Sequence, residues 1–174
     1  MCGSTTKQRI GAALRQLMNE RPFDKITVQN LMDATNMKRQ SFYYHFRDTR
    51  DVLVWLCRQE LVEPLLRSEL EFADWAIYAM ELAEQDRSFY RRLLAAVHPD
   101  FIREIGIHVL WNRTVRLLYG HSNDTELDTD QRYVVDFFVQ ALLDQFLRFL
   151  SGRMPLDRRI ARERISALCA AIQR

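Results

Sequence analysis

Glycine, proline and cysteine are all scarce in this chain. Its 174 residues include 5 Gly, 4 Pro and 3 Cys. Few helix-breaking residues, together with long apolar periodicities, predict an all-α protein. The three cysteines, Cys2, Cys57 and Cys169, are odd in number and widely spaced, which excludes a disulfide framework.

Long hydrophobic runs are also lacking. The sequence contains no stretch of about 18 apolar residues, so we predict no transmembrane helix. Polar residues at positions 6–9 interrupt any apolar run near the N-terminus, so we predict no signal peptide. These two absences, with no disulfide framework, make the reduced cytoplasm the expected location.

Motifs of common enzymes and metal sites are missing as well. The sequence has no Gly-rich phosphate loop, no His-Glu-x-x-His and no nucleophile elbow, and its carboxylates form no recognisable buried pair. His98, His108 and His121 lack close spacing, and the cysteines are too dispersed for a tetrahedral metal site. We therefore expect no catalysis, no metal and no cofactor.

Charge is distributed unevenly along the chain. Residues 1–60 carry 10 Lys/Arg and 6 Asp/Glu, a net charge of +4, whereas residues 61–174 carry 15 and 17, a net charge of −2. A basic first third on a mildly acidic remainder fits a polyanion-binding head, although ordinary scatter also produces an excess of four charges.

Apolar spacing predicts about nine helices. In the first, Thr5–Glu20, the residues Ile10, Leu14 and Leu17 form one stripe, and the dipeptide Arg21-Pro22 ends it. The other predicted helices are Val28–Ala34, Lys38–His45, Asp48 or Thr49 to Pro64, Ala73–Gln85, Arg87–Val97, Phe101–Tyr119, Thr129–Leu150 and Pro155–Gln173.

Residues 27–46 contain two short predicted helices around the turn Thr35–Met37. Two helices joined by a tight turn form a helix-turn-helix, whose second helix enters the major groove of DNA. In that second helix, Phe42 and Phe46 are spaced i, i+4 and should face inward. The alternative explanation is an amphipathic helix that simply has a polar face.

The predicted recognition helix begins with the polar residues Lys38, Arg39, Gln40 and Ser41. Arg39 suits a bidentate contact to guanine, and Gln40 suits adenine. Residues farther along this helix that can reach phosphate oxygens are Tyr43, Tyr44 and His45.

The order of these residues strongly resembles the DNA-binding domain of the tetracycline-repressor (TetR) family. The resemblance covers residues 6–56 and is most specific in Ile26-Thr27-Val28 and in Ser41-Phe42-Tyr43-Tyr44-His45-Phe46. It implies a three-helix DNA-binding domain over residues 1–47 and a helical ligand-binding and dimerisation domain over residues 48–174. The expected DNA contacts are Thr27, Lys38, Arg39, Gln40, Ser41, Tyr43, Tyr44, His45, Thr49 and Arg50.

Two positions depart from the pattern of this family. Many members have Gly in the turn, where this chain has Asn36, but Asn tolerates a positive φ better than most residues. Many members have Lys at the start of the fourth helix, where this chain has Thr49. A hydroxyl at a helix N-terminus can still bind phosphate, and Arg47 or Arg50 can supply the charge.

The last two long predicted helices carry broad apolar stripes. In the family such helices usually form a four-helix bundle between two subunits, so the resemblance implies a homodimer. The alternative is that both stripes face only their own core. The expected interface residues are Phe137, Phe138, Ala141, Leu142, Gln145, Phe149, Ile165, Leu168 and Ile172.

Family members usually bind a small molecule in the regulatory domain. Aromatic residues with a polar group suit such a pocket, but they suit helix packing equally well. The expected pocket residues are Trp55, Trp75, Tyr78, Phe89, Tyr90, His108 and Trp111.

The function predicted from the sequence is sequence-specific, DNA-binding regulation of transcription. We expect a repressor that binds a palindromic operator and is released by a small-molecule effector. The run Phe149–Pro155 resembles the subgroup of dihydroxyacetone kinase operon regulators, which implies the alternative of an activator controlled by a protein co-regulator. A second alternative is a partner-binding protein that kept this fold without DNA recognition.

Overall fold

The computed structural model describes residues 5–121, 126–154 and 157–172, without the side chains of residues 99 and 172. Within these ranges every regular element is helical, which confirms the all-α prediction. The helices are α1 (Thr6–Glu20), α2 (Val28–Thr35), α3 (Arg39–His45), α4 (Thr49–Cys57), α5 (Glu63–Arg67), α6 (Phe72–Gln85), α7 (Arg87–Ala96), α8 (Pro99–Tyr119), α9 (Thr129–Leu150) and α10 (Arg158–Ile172).

A π-helical segment, Arg58–Val62, joins α4 to α5. Helical backbone angles continue through both junctions, so the three pieces form the single long helix expected to start near Thr49. Pro64 lies in the first turn of α5. Because proline has no N–H and crowds the carbonyl four residues before it, a helix passing through Pro64 must change its hydrogen-bond register, and the π segment does so.

The chain forms two compact units. The first comprises the residues up to Glu60 together with Ser88–His98, and the second comprises Leu61–Arg87 and the residues from Pro99 onward. The units therefore divide the chain at different points from the expected division after residue 47. The difference arises because α4 packs against α1, and most of α7 also belongs to the first unit.

The first unit is built around α1 and α4. Ile10 and Leu14 of α1 are fully buried, as the sequence pattern predicted. A Cβ atom on Gly11 would lie 2.8 Å from Cδ2 of Leu56 and 2.9 Å from Cζ3 of Trp55. The close approach of α1 to α4 therefore requires a residue without a side chain at position 11.

Asn36 makes the turn between α2 and α3. Its backbone adopts φ 52° and ψ 42°, the left-handed region, which confirms that Asn can take the place of the usual glycine. The guanidinium of Arg9 donates a 3.0 Å hydrogen bond to the carbonyl of Thr35. The hydroxyl of Thr35 donates a 2.7 Å bond to the carbonyl of Leu31. The corner is thus held by its own backbone and by α1.

In the second unit, α8 packs along α9, and α10 packs against α6. A Cβ atom on Gly106 would meet the side chain of Leu143, so these two long helices approach closely there. Val115, Val135 and Val139 form a buried cluster together with Leu127. In the described ranges, no helix is both long and apolar enough to cross a bilayer.

The sequence placed the boundaries of most elements within a few residues. The prediction for α9, Thr129–Leu150, agrees with the structure at both ends. The predicted last helix, Pro155–Gln173, is observed as Arg158–Ile172, and its expected first and last residues lie outside the described ranges.

Candidate nucleic-acid interface

Helix α3 has one buried face and one exposed face. Phe42 and Phe46 are buried, and their ring centroids lie 5.9 Å apart. The ring of Phe46 also meets Trp55 of α4 at 5.8 Å. These contacts hold α3 on the first unit and leave its polar side in solvent. The exposed residues at its start are Lys38, Arg39, Gln40 and Ser41.

Two tyrosines on α3 differ in their surroundings. Tyr43 is 51% exposed, and its hydroxyl accepts a 3.2 Å hydrogen bond from Nη2 of Arg39. Tyr44 is 84% exposed, and its ring packs edge-on against His45 at 4.9 Å. Both phenol groups are exposed to solvent, so they are accessible to a nucleic-acid backbone.

The N-terminus of α2 is closed by a capping box. Oγ1 of Thr27 accepts a hydrogen bond from the backbone N–H of Asn30 at 3.2 Å. The Asn30 side chain accepts one in return from the backbone N–H of Thr27 at 3.0 Å. The Thr27 side chain is exposed and also serves as the helix cap.

The N-terminus of α4 carries two carboxylates. Asp48 accepts a hydrogen bond from the backbone N–H of Asp51 at 2.8 Å, and Asp51 accepts one from the backbone N–H of Arg47 at 3.0 Å. These carboxylates occupy the positive end of the helix, where the sequence predicts a phosphate. The side chains of Arg47 and Arg50 are exposed, and Thr49 is partly buried.

A comparison with known protein families matches residues 10–54 to the model described as "Bacterial regulatory proteins, tetR family". That segment contains α2, the Asn36 corner, α3 and the core beneath them. Over residues 10–54 the chain is therefore similar to the tetR family.

Two further comparisons find similarity between this chain and DhaS proteins. It is 22% identical over 91 residues to the "HTH-type dhaKLM operon transcriptional activator DhaS" of Lactococcus lactis subsp. lactis (strain IL1403). That match covers 51% of this chain but only 48% of the length of the relative. The solved structure of "Dihydroxyacetone kinase operon activator DhaS" superposes with a TM-score of 0.70 at 16% identity, covering 97% of this chain and 96% of that one. The structural match shows a shared fold over nearly the whole chain.

The residues expected to line an effector pocket belong to two different units of the chain. Trp55, Phe89 and Tyr90 belong to the first unit, and the guanidinium of Arg15 lies 4.0 Å above the ring of Phe89. The other four expected residues, Trp75, Tyr78, His108 and Trp111, belong to the second unit. Within that group Trp75 is buried, and its Nε1–H donates to the carbonyl of Leu65 at 3.0 Å. His108 is exposed.

The expected interface residues on α9 divide into exposed and buried members. Phe137 is 63% exposed, Ala141 and Gln145 are exposed, and Phe138 and Leu142 are partly buried. Phe149 is fully buried, which corrects its assignment to an intersubunit surface. Its carbonyl accepts a 2.6 Å hydrogen bond from Arg87, and the Arg87 guanidinium lies 4.8 Å from its ring centroid, so Phe149 packs within its own chain.

The expected interface residues on α10 are less uniform. Leu168 is exposed, Ile165 is partly buried, and the side chain of Ile172 lies outside the described residues. Arg162 of α10 pairs with Asp74 of α6 at 2.8 Å, so one side of α10 is used within the chain.

Sequence reasoning missed two residues, Tyr133 and Thr114, that the structure makes conspicuous. Tyr133 is 74% exposed, and Val134 beside it is exposed as well. The signal for Tyr133 was its spacing of four residues from Phe137, which places both on one face of α9. Thr114 is fully buried, and the signal for it was a polar residue within the apolar stripe of α8.

Two of the three thiols, those of Cys57 and Cys169, lie in the part of the chain that the structure describes. Burial raises the pKa of Cys57 to about 11, and the nearby Glu60 carboxylate acts in the same direction. Burial also raises the pKa of Cys169. Both groups are therefore protonated at neutral pH and are poor nucleophiles and poor metal ligands. In the part of the chain that the structure describes, no three His, Cys, Asp or Glu residues are grouped as a metal site would require.

Proposed function

We propose that this protein is a sequence-specific, DNA-binding regulator of transcription that acts as a homodimer. The observation that carries the proposal is the two-sided character of α3, whose phenylalanines are buried while Lys38, Arg39 and Gln40 are exposed at its start. An exposed helix of this kind fits the major groove, where each base pair presents its own set of donors and acceptors.

An exposed stripe on α9 supports the homodimer. Tyr133, Phe137, Ala141 and Gln145 are spaced four residues apart, so they lie along one face of the helix, and all four are exposed in the single chain. Two large aromatic side chains on one such face indicate a surface that another molecule covers. A second copy of the chain, related by a two-fold axis, would cover this surface with its own copy of the same stripe. A two-fold dimer in turn implies a palindromic operator.

The test is a selection of DNA by the full chain from a pool of random duplexes. We expect two inverted half-sites with centres one helical turn apart, roughly 34–36 Å. The logarithm of the association constant should fall linearly with the logarithm of the salt concentration, with a slope of about −0.9 per neutralised phosphate. Equal affinity for all duplexes, or no binding, would contradict the proposal and favour a partner-binding protein of the same fold.

The direction of regulation has two candidates. The expected form is a repressor released by a small molecule. The second candidate is an activator, which is favoured by the similarity to DhaS, named as an activator of a dihydroxyacetone kinase operon. A reporter placed behind the selected operator distinguishes them, since the protein lowers expression in the first case and raises it in the second.

For the effector site we propose the inner face of the C-terminal half of α8. In the described residues, four buried side-chain N or O atoms lack a hydrogen-bond partner, and three belong to Trp111, Thr114 and His121. Trp111 also packs against the buried cluster around Val115. An unpartnered buried donor costs roughly 1–3 kcal/mol, so a neutral molecule with an acceptor oxygen is stabilised there.

We expect dihydroxyacetone, whose carbonyl can accept from an indole, to shift the NMR signal of the Trp111 indole N–H downfield. The signal of Trp75 should stay in place, because its indole N–H already donates to the carbonyl of Leu65 at 3.0 Å. The measurement is a ¹H–¹⁵N spectrum of the full chain, in which the Trp111 signal is assigned by its loss in Trp111→Phe and the Trp75 indole serves as the internal control. Equal shifts at both indoles, or none at Trp111, would contradict this site for this ligand.

A further inference from the structure

The side chain of Arg39 rests on a neighbour one helical turn later on α3. Its Nη2 donates a hydrogen bond to the hydroxyl of Tyr43 at 3.2 Å, and its Cζ lies 5.7 Å from the centroid of the Tyr43 ring. Both distances fall within the ranges of a hydrogen bond and a cation–π contact. We propose that Tyr43 is a positioning residue that holds the Arg39 guanidinium for base reading, an inference that rests on the proposed function.

Tyr43 is itself held by the core of the first unit. Its ring meets the ring of Phe42 edge-on, with centroids 5.4 Å apart and an interplanar angle of 89°. Phe42 is fully buried. The buried ring of Phe42 therefore supports the half-exposed ring of Tyr43, which in turn contacts the guanidinium of Arg39 at the surface.

Orientation matters for Arg39 because of the chemistry of base recognition. A guanidinium reads guanine through two parallel N–H bonds, which require its plane and direction to be set. A free arginine loses much rotamer freedom on binding, whereas a side chain that is already oriented loses less. Tyr43 therefore raises discrimination between base pairs, while a tyrosine that only touched phosphate would strengthen binding to all sequences alike.

The test compares Tyr43→Phe with the matched control Tyr44→Phe in the full chain. Tyr43→Phe keeps the ring and removes only the hydroxyl that accepts from Arg39. We expect it to weaken operator binding about two- to tenfold, the effect of one hydrogen bond, with unchanged affinity for random DNA and unchanged salt slope. Tyr44 is 84% exposed, and α3 turns it away from Arg39, so Tyr44→Phe should leave discrimination unchanged.

A double-mutant cycle separates positioning from direct contact. In an Arg39→Ala background, Tyr43→Phe should have no further effect on operator binding, because the group that it orients is gone. Equal loss on operator and random DNA, or a loss that persists in that background, would assign Tyr43 to phosphate and overturn the inference. Unchanged discrimination in Tyr43→Phe would overturn it too. If the unaltered chain shows no operator preference, the proposed function itself fails, and that result is seen before any variant is compared.

Discussion

Replacing Phe137 with glutamate should convert the dimer to a monomer. Phe137 is 63% exposed in the single chain and lies at the centre of the α9 stripe. Burial of a phenylalanine contributes roughly 1.5–3 kcal/mol, and a two-fold interface contains the residue twice, so the dissociation constant should rise by roughly 10²- to 10⁴-fold. A buried carboxylate without a partner adds to this loss.

Light scattering over a range of protein concentrations measures the effect, with circular dichroism to confirm that the variant is folded. The matched control is Leu66→Glu, which places the same charge at an exposed leucine elsewhere in the second unit and should leave the dimer intact. A folded Phe137→Glu protein that remains dimeric would move the interface away from α9. Exposed Leu168 on α10 would then become the next position to test.

Arg39→Ala should lower affinity for the operator by roughly 1–3 kcal/mol and relax the preference at one base pair. The reason is that Arg39 lies exposed in the first turn of α3, where a recognition helix meets base edges. Affinity is measured for the selected operator and for its single base-pair variants at fixed salt. The loss of base preference should appear at one position of each half-site and not at the other positions.

Arg50→Ala provides the contrast. Arg50 is exposed in the first turn of α4, beside the carboxylates of Asp48 and Asp51. A residue that contacts phosphate should weaken binding to all sequences alike and reduce the salt slope by about one phosphate. If Arg39→Ala behaves in that same uniform way, Arg39 contacts the backbone and base reading must belong to other residues of α3.

Sequence reasoning succeeded where a structure depends on near neighbours. The corner at Asn36 and the start of α2 follow from residues within four positions, namely a left-handed asparagine and the Thr27–Asn30 capping box. The buried Phe42 and Phe46 follow from the 3.6-residue helical period. The α9 boundaries follow in the same way, since Asp128 and Gln131 form a capping box at its start.

Tertiary structure alone decided which apolar surfaces are covered. Helical periodicity shows which side chains share a face of a helix, but it does not show what packs against that face. Both Phe137 and Phe149 belong to the apolar stripes of α9, yet one is exposed and the other is held beneath Arg87. The aromatic residues expected in one pocket likewise fall in two units, since most of α7 packs with the N-terminal helices. The sequence thus determined helix α3 and the turn before it, while long-range packing determined which helical faces are exposed.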